Sequence, residues 1–119
     1  METIKEIVQK INQAFRDSDM ETFTGYCADD VVWTMVGSSA VTGKQGILDF
    51  MKGMPTDCEP VLQEKLIFAG ENNVTCTGTM EMPSSNGGVW KGGFCDIYQF
   101  VDGKIKTLET YVVEFKQKD

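Results

Sequence analysis

The chain has 119 residues, a net charge of −7 and a 41% hydrophobic fraction, which suits one globular domain over residues 1–119. Its acidity, without any basic run, excludes an electrostatic nucleic-acid footprint and disfavours anionic membrane surfaces. It has no histidine, which removes Ser-His-Asp and Cys-His chemistry and most zinc or iron sites; acid–base work falls to carboxylates, tyrosines, lysines or thiols.

The opening METIKEIVQKINQAF is charged and periodic, without the apolar core of a signal peptide, and no apolar run reaches the length of a membrane span. Cys27, Cys58, Cys76 and Cys95 are widely spaced with no CxxC pair. They read as reduced thiols of a cytoplasmic protein rather than as disulfides or metal ligands. No cofactor is expected.

Ile4, Ile7, Val8, Ile11 and Phe15 recur at helical spacing and predict a first helix. SDME, from Ser18 to Glu21, reads as a capping box opening a second helix through Phe23 and Tyr26, which the acidic pair of "ADD" brings to an end. An alternating strand follows from Val31 to Val36. TGKQ, from Thr42 to Gln45, is a second capping box before Ile47, Leu48, Phe50 and Met51 on a third helix. Pro55 and Pro60 bracket a loop, and everything after it reads as strand. Val61–Ala69 ends at a GENN turn; Val74–Met82 alternates strictly; SSNGG is a hairpin signal; Val89–Val101 and Lys104–Phe115 flank an Asp-Gly turn.

Three helices followed by an antiparallel meander make an α+β plan, with the helices on one face of a curved sheet. In the late strands both faces are apolar: Phe94, Tyr98 and Phe100 flank Asp96 on one alternation, while Cys95, Ile97 and Val101 occupy the other. Helices cover one side, and a second subunit is the natural cover for the convex one, so a homodimer is expected.

Taken together, VQKINQAFRDSDMETFTGYCADDVVWTMVGS, VTGKQGILDFM and CDIYQFVDGKIKTLETYVVEF resemble the nuclear transport factor 2-like superfamily, which includes ketosteroid isomerases and SnoaL-like polyketide cyclases. The likeness runs through nearly the whole chain in order. It implies a cystatin-like α+β cone, often dimeric, with three N-terminal helices packed on a strongly curved, mainly antiparallel sheet and an apolar pocket between them. Carried over position by position, the isomerase general base falls on Met35, the oxyanion-hole tyrosine on Ile11, the oxyanion-hole aspartate on Asp96 and an apolar aromatic on Val112. The cyclase HWD motif falls on Leu108, Glu109 and Thr110. Of the isomerase set only Asp96 survives, and the cyclase acid–base pair is absent.

Asp96 is therefore the candidate catalytic or anchoring residue. Among aromatics its carboxyl is desolvated, which raises its pKa and lets it donate a hydrogen bond to a ligand carbonyl, as in the established example of ketosteroid isomerase. Met35 cannot take a proton; with Trp33 it makes one wall apolar. Met80, Met82, Phe94, Tyr98 and Val112 extend that wall by strand parity, and the resemblance turns Leu108 and Thr110 toward the same pocket. Ile11 and Phe15 suit either the helix-to-sheet core or the lining. The expected function is binding of a small apolar molecule with Asp96 as polar anchor, both family catalytic sets being lost. One alternative is an isomerase, lyase or hydratase-type enzyme using Asp96 as acid or base. The other is a dimerisation or partner-binding module whose pocket Met35 and Trp33 close.

Overall fold

The computed structural model describes residues 2–52, 61–83 and 88–116. Helix α1 (Ile4–Arg16) is opened by a reciprocal cap. The Glu6 amide donates to Thr3 Oγ1 at 3.1 Å and the Thr3 amide to Glu6 Oε1 at 3.2 Å, satisfying two otherwise orphaned donors. Its apolar stripe buries Ile7, Val8 and Ile11, together with the polar Asn12.

Helix α2 (Met20–Gly25) is capped by Asp19, whose side chain accepts from the Thr22 amide at 3.2 Å. Ser18 instead takes a left-handed φ of 56° that turns the chain out of α1, so the SDME box is shifted by one residue from its sequence reading. A second correction concerns "ADD". Those residues do not end α2; they already belong to strand β1 (Cys27–Met35), where Asp30 pairs with Lys106 and Asp29 with Lys44. Pairing with the neighbouring strand outweighs the weak strand propensity of aspartate. A short strand β2 (Ala40–Thr42), not anticipated from the sequence, folds back on β1 and contains Thr42, so helix α3 (Gly43–Lys52) starts at Gly43 with φ +80°.

Strands β3 (Val61–Ala69), β4 (Asn73–Pro83), β5 (Val89–Val101) and β6 (Lys104–Glu114) form the meander, and the sheet order is β2-β1-β6-β5-β4-β3. Only β1 against β6 is parallel, so the sheet is mixed but mainly antiparallel. Asp102 and Gly103, with φ of 52° and 78°, form the tight turn that the Asp-Gly pair predicts. The Pro55–Pro60 loop, Cys58 and most of SSNGG lie outside the described residues.

Helix α1 packs on β3 and β4, α3 packs on β1 and β2, and α2 touches both other helices. Together they cover the concave face and enclose Val8, Ile11, Phe23, Val31, Ile47, Val74, Tyr98, Ile105 and Leu108. A register shift between Glu64 and Leu66 places one extra residue in β3. Before it, Leu62 and Glu64 sit opposite the inward-facing Met80 and Gly78; after it, Leu66 and Phe68 sit opposite Thr77 and Thr75 on the outer face. No helix among the described residues is long and apolar enough to cross a membrane.

Candidate functional site

The site is built where β5 and β6 cross beneath the helices. Asp96 lies opposite Thr110 on β6 and opposite Cys76 on β4, so all three side chains share the concave face. Only 7% of Asp96 is exposed, and among the described residues no cation pairs with it. Its one hydrogen bond there comes from Thr110 Oγ1, which donates to Oδ1 at 2.8 Å. Thr110 Oγ1 in turn accepts from Trp33 Nε1 at 2.8 Å. Burial raises the Asp96 pKa from 3.8 to about 6, with the Thr110 hydrogen bond pulling the other way. The carboxyl therefore changes charge close to neutral pH.

Trp33 is held by aromatic neighbours from all three helices. Phe15, Phe23 and Phe50 stand with ring centroids 6.0, 5.6 and 6.2 Å from it, the last two edge-on. The indole plane is thus fixed by packing and its N–H is aimed at Thr110. Met35, two residues on, lies opposite Thr110 across the parallel β1–β6 pair and is half-buried. It adds a thioether to the wall and no proton-transfer group.

A second polar cluster lies deeper under α1. Asn12 Nδ2 donates to Glu64 Oε1 at 2.7 Å and contacts Cys76 Sγ at 3.4 Å. Burial pushes the Cys76 thiol up to about 11 and Cys27 to about 12, so both stay protonated and neither is a ready nucleophile. Tyr98 is wholly buried and its hydroxyl has no hydrogen-bond partner among the described residues. Burial, with Asp96 nearby, raises its pKa well above the ordinary value, and it is a neutral donor.

The predicted lining residues separate into two layers. Ile11, Tyr98 and Leu108 are fully enclosed and Trp33 nearly so, forming the packed floor. Phe15, Met35, Met80, Phe94 and Thr110 are half-buried, while Val112 is exposed at the far end of β6. Phe94 reaches across β4 so that its ring covers Gly78. A groove of about 220 Å³ lies elsewhere, on the outer face, lined by Val61, Gln63, Thr79, Met80, Glu81, Lys91 and Phe115. Among the described residues no cluster of three His, Cys, Asp or Glu side chains is arranged to hold a metal ion.

Sequence reasoning missed Asn12, Glu64 and Cys76 as a group. One signal was present: Asn12 stands four residues after Val8, inside the apolar stripe of α1, where a polar side chain needs a buried partner. Nothing in the local sequence identifies Glu64 as that partner, because the β3 bulge decides which face it joins.

Residues 8–108 match the family described as the SnoaL-like domain. The chain belongs to this SnoaL-like domain family. Solved structures agree on the fold. A nuclear transport factor 2-like protein of unknown function from Cytophaga hutchinsonii is 25% identical, with a TM-score of 0.74 over 93% of this chain and 100% of its own. A proposed polyketide cyclase from Pseudomonas putida is 20% identical, with a TM-score of 0.84 over 93% and 92%. An LEH-like epoxide hydrolase from M. tuberculosis is 19% identical, with a TM-score of 0.79 over 92% and 81%. No curated protein matches the chain. The SnoaL-like fold thus carries several activities among its relatives, and the chemistry of this SnoaL-like domain has to be argued from its own side chains.

Proposed function

We propose that this SnoaL-like domain binds a small apolar molecule against the concave face of its sheet, with Asp96 as the polar anchor. The observation that carries the reading is a carboxyl group buried among Phe94, Tyr98 and Trp33 with, among the described residues, a single hydroxyl donor and no cation. Such a group is costly to bury as a structural element alone. It is useful in an apolar site because, protonated, it donates one hydrogen bond and, ionised, it accepts several. Met35, Met80, Phe94 and Val112 supply adaptable apolar surface around it.

A thermal-shift screen of apolar carbonyl compounds, steroids and polyketides tests this. A binder present at one hundred times its dissociation constant stabilises the protein by about 2.7 kcal/mol. Asp96→Leu, which removes both polar atoms, is expected to weaken that binder by about tenfold, the loss of one hydrogen bond. A screen with no binder, or a binder indifferent to Asp96→Leu, would refute the anchor.

A second reading, proton transfer by Asp96 as general acid or base, draws on its pKa of about 6. It asks for a partner group, and the fixed neighbours Thr110 and Tyr98 are hydroxyls that ionise only at high pH. Steroid isomerisation is disfavoured because Met35 and Ile11 offer neither base nor donor.

The same proposal places the protein in the cytoplasm as a homodimer. Cys27, Cys76 and Cys95 are free thiols, which suits a reducing compartment. The outer sheet face exposes Leu66, Phe68, Tyr111 and Val113, the last at 67%, beside the threonines of β4. A patch of this kind is a self-complementary surface for a second copy. Phe68→Glu with Val113→Glu is expected to convert a dimer to a monomer in analytical ultracentrifugation, with the dissociation constant raised at least about tenfold by unpaired carboxylates at the interface. A wild-type chain that sediments as a monomer at high micromolar concentration would contradict the assignment.

A further inference from the structure

The three side chains Trp33, Thr110 and Asp96 come from three strands, β1, β6 and β5, and meet in one line of hydrogen bonds. We propose that this line is a one-way relay: Trp33 fixes the direction of the Thr110 hydroxyl, and Thr110 thereby sets Asp96 Oδ1 as the acceptor oxygen and leaves Oδ2 as the oxygen presented to a bound molecule. The inference deepens the anchor reading and rests on it for its functional meaning, while its physical content concerns the unliganded protein.

The direction follows from donor and acceptor capacity. An indole N–H only donates, so Thr110 Oγ1 accepts at the Trp33 end. The hydroxyl keeps one proton, and the acceptor in reach is Asp96 Oδ1 at 2.8 Å. Were Asp96 protonated on Oδ1, Thr110 would accept twice and its own proton would lose that partner, giving up one hydrogen bond of the line. The proton of a neutral Asp96 therefore sits on Oδ2. The Trp33 N–H also polarises the hydroxyl it bonds, strengthening the second bond of the chain. Trp33 and Thr110 are thus positioning residues. Each acts through Asp96, and the aromatic clamp of Phe15, Phe23 and Phe50 keeps the indole from turning away.

Other polar and titratable groups stand around this cluster. Tyr98 flanks it on β5 and Cys76 faces it from β4, with Glu64 of β3 beyond Cys76. Cys95 borders it through the sheet. From α1 come Asn12, bonded to Glu64 and Cys76, and Arg16, whose Nε donates to the Leu62 carbonyl at 3.0 Å. Helix α3 buries only Ile47. Among these, Thr110 is the one that donates a hydrogen bond directly to the carboxylate.

The test is an NMR titration of the Asp96 side-chain carboxyl carbon in the unliganded 119-residue chain. Thr110→Val, which keeps the shape and removes the donor, is expected to move the midpoint upward by about one pH unit. Thr110→Ser restores the donor and is expected to return it to the wild-type value. Trp33→Phe, which leaves Thr110 in place, is expected to move the midpoint in the same direction by a smaller amount. A midpoint unmoved or lowered by Thr110→Val overturns the relay, and so does a folded Trp33→Phe variant that titrates like wild type. If Trp33→Phe does not fold, the Val and Ser pair at position 110 decides. Because no ligand is added, failure here removes the relay without touching the ligand screen, and failure of the screen leaves the relay to its own result.

Discussion

Asp96→Asn is expected to stabilise the protein at pH 7 and to remove a fall in stability that the wild type shows between about pH 4 and pH 6. The folded-state pKa of Asp96 is raised from 3.8 to about 6, chiefly by burial. Over that interval the native state holds a proton that the unfolded chain has released, so stability is greatest below the unfolded pKa and declines as pH rises through the folded one. The span corresponds to about 3 kcal/mol. Asparagine keeps the acceptor for Thr110 and replaces the ionising oxygen with a neutral donor, so the variant loses the decline without losing the relay contact. Denaturant unfolding of both proteins across this range measures the effect. A wild type whose stability rises from pH 4 to 6, with the variant following it, would show that the carboxyl is not desolvated. The prediction sets stability against function: the residue that weakens the fold at neutral pH is the one proposed to anchor the ligand.

Gly78→Ala is expected to cost about 2–4 kcal/mol, through overpacking that cannot relax. A side chain at this position would begin 2.2 Å from the Gln63 carbonyl oxygen and 2.8 Å from the Phe94 ring. The ring can rotate aside, but the carbonyl belongs to the backbone of the neighbouring strand, so β3 and β4 would have to separate locally. The effect is on the site as well as on stability, because Phe94 loses the glycine surface on which it rests and moves relative to Asp96, two residues along β5. Thermal unfolding reads the first consequence, and the Asp96 carboxyl titration reads the second. A Gly78→Ala protein as stable as wild type would mean that β4 shifts freely at this point.

The helices, the four late strands and the superfamily resemblance were legible because each rests on local signals: apolar stripes, strict alternation and an Asp-Gly turn. The reading of Asp96 as a buried carboxyl among aromatics also followed from parity on β5 alone. The errors have local causes. Asp19 caps α2 instead of Ser18, because Ser18 turns the chain at positive φ. "ADD" enters β1 because the strand pairs with β6 on either side of it, at Cys27 with Ile105 and at Val32 with Thr107, partners more than 70 residues away. Partnerships across long stretches of chain were not legible at all. Thr110 was marked by alignment of motifs, yet its two hydrogen bonds depend on a parallel pairing between β1 and β6 that no local pattern announces. Asn12 with Glu64 is the same case, decided by how α1 crosses β3.

The irregular residue in β3 gives that edge strand a divided inheritance. Upstream of it, Leu62 and Glu64 answer to the interior and to α1; downstream, Leu66 and Phe68 answer to whatever meets the outer face. Substitutions in one half can drift without disturbing the other, so the proposed ligand face and the proposed assembly face can change separately within nine residues of chain. Were Lys65 instead taken into the ladder in regular alternation, Leu66 and Phe68 would turn onto the side of Glu64, exchanging the proposed assembly surface for interior bulk in one step. Lys65, the residue that the register skips, is in that sense the hinge between the two halves.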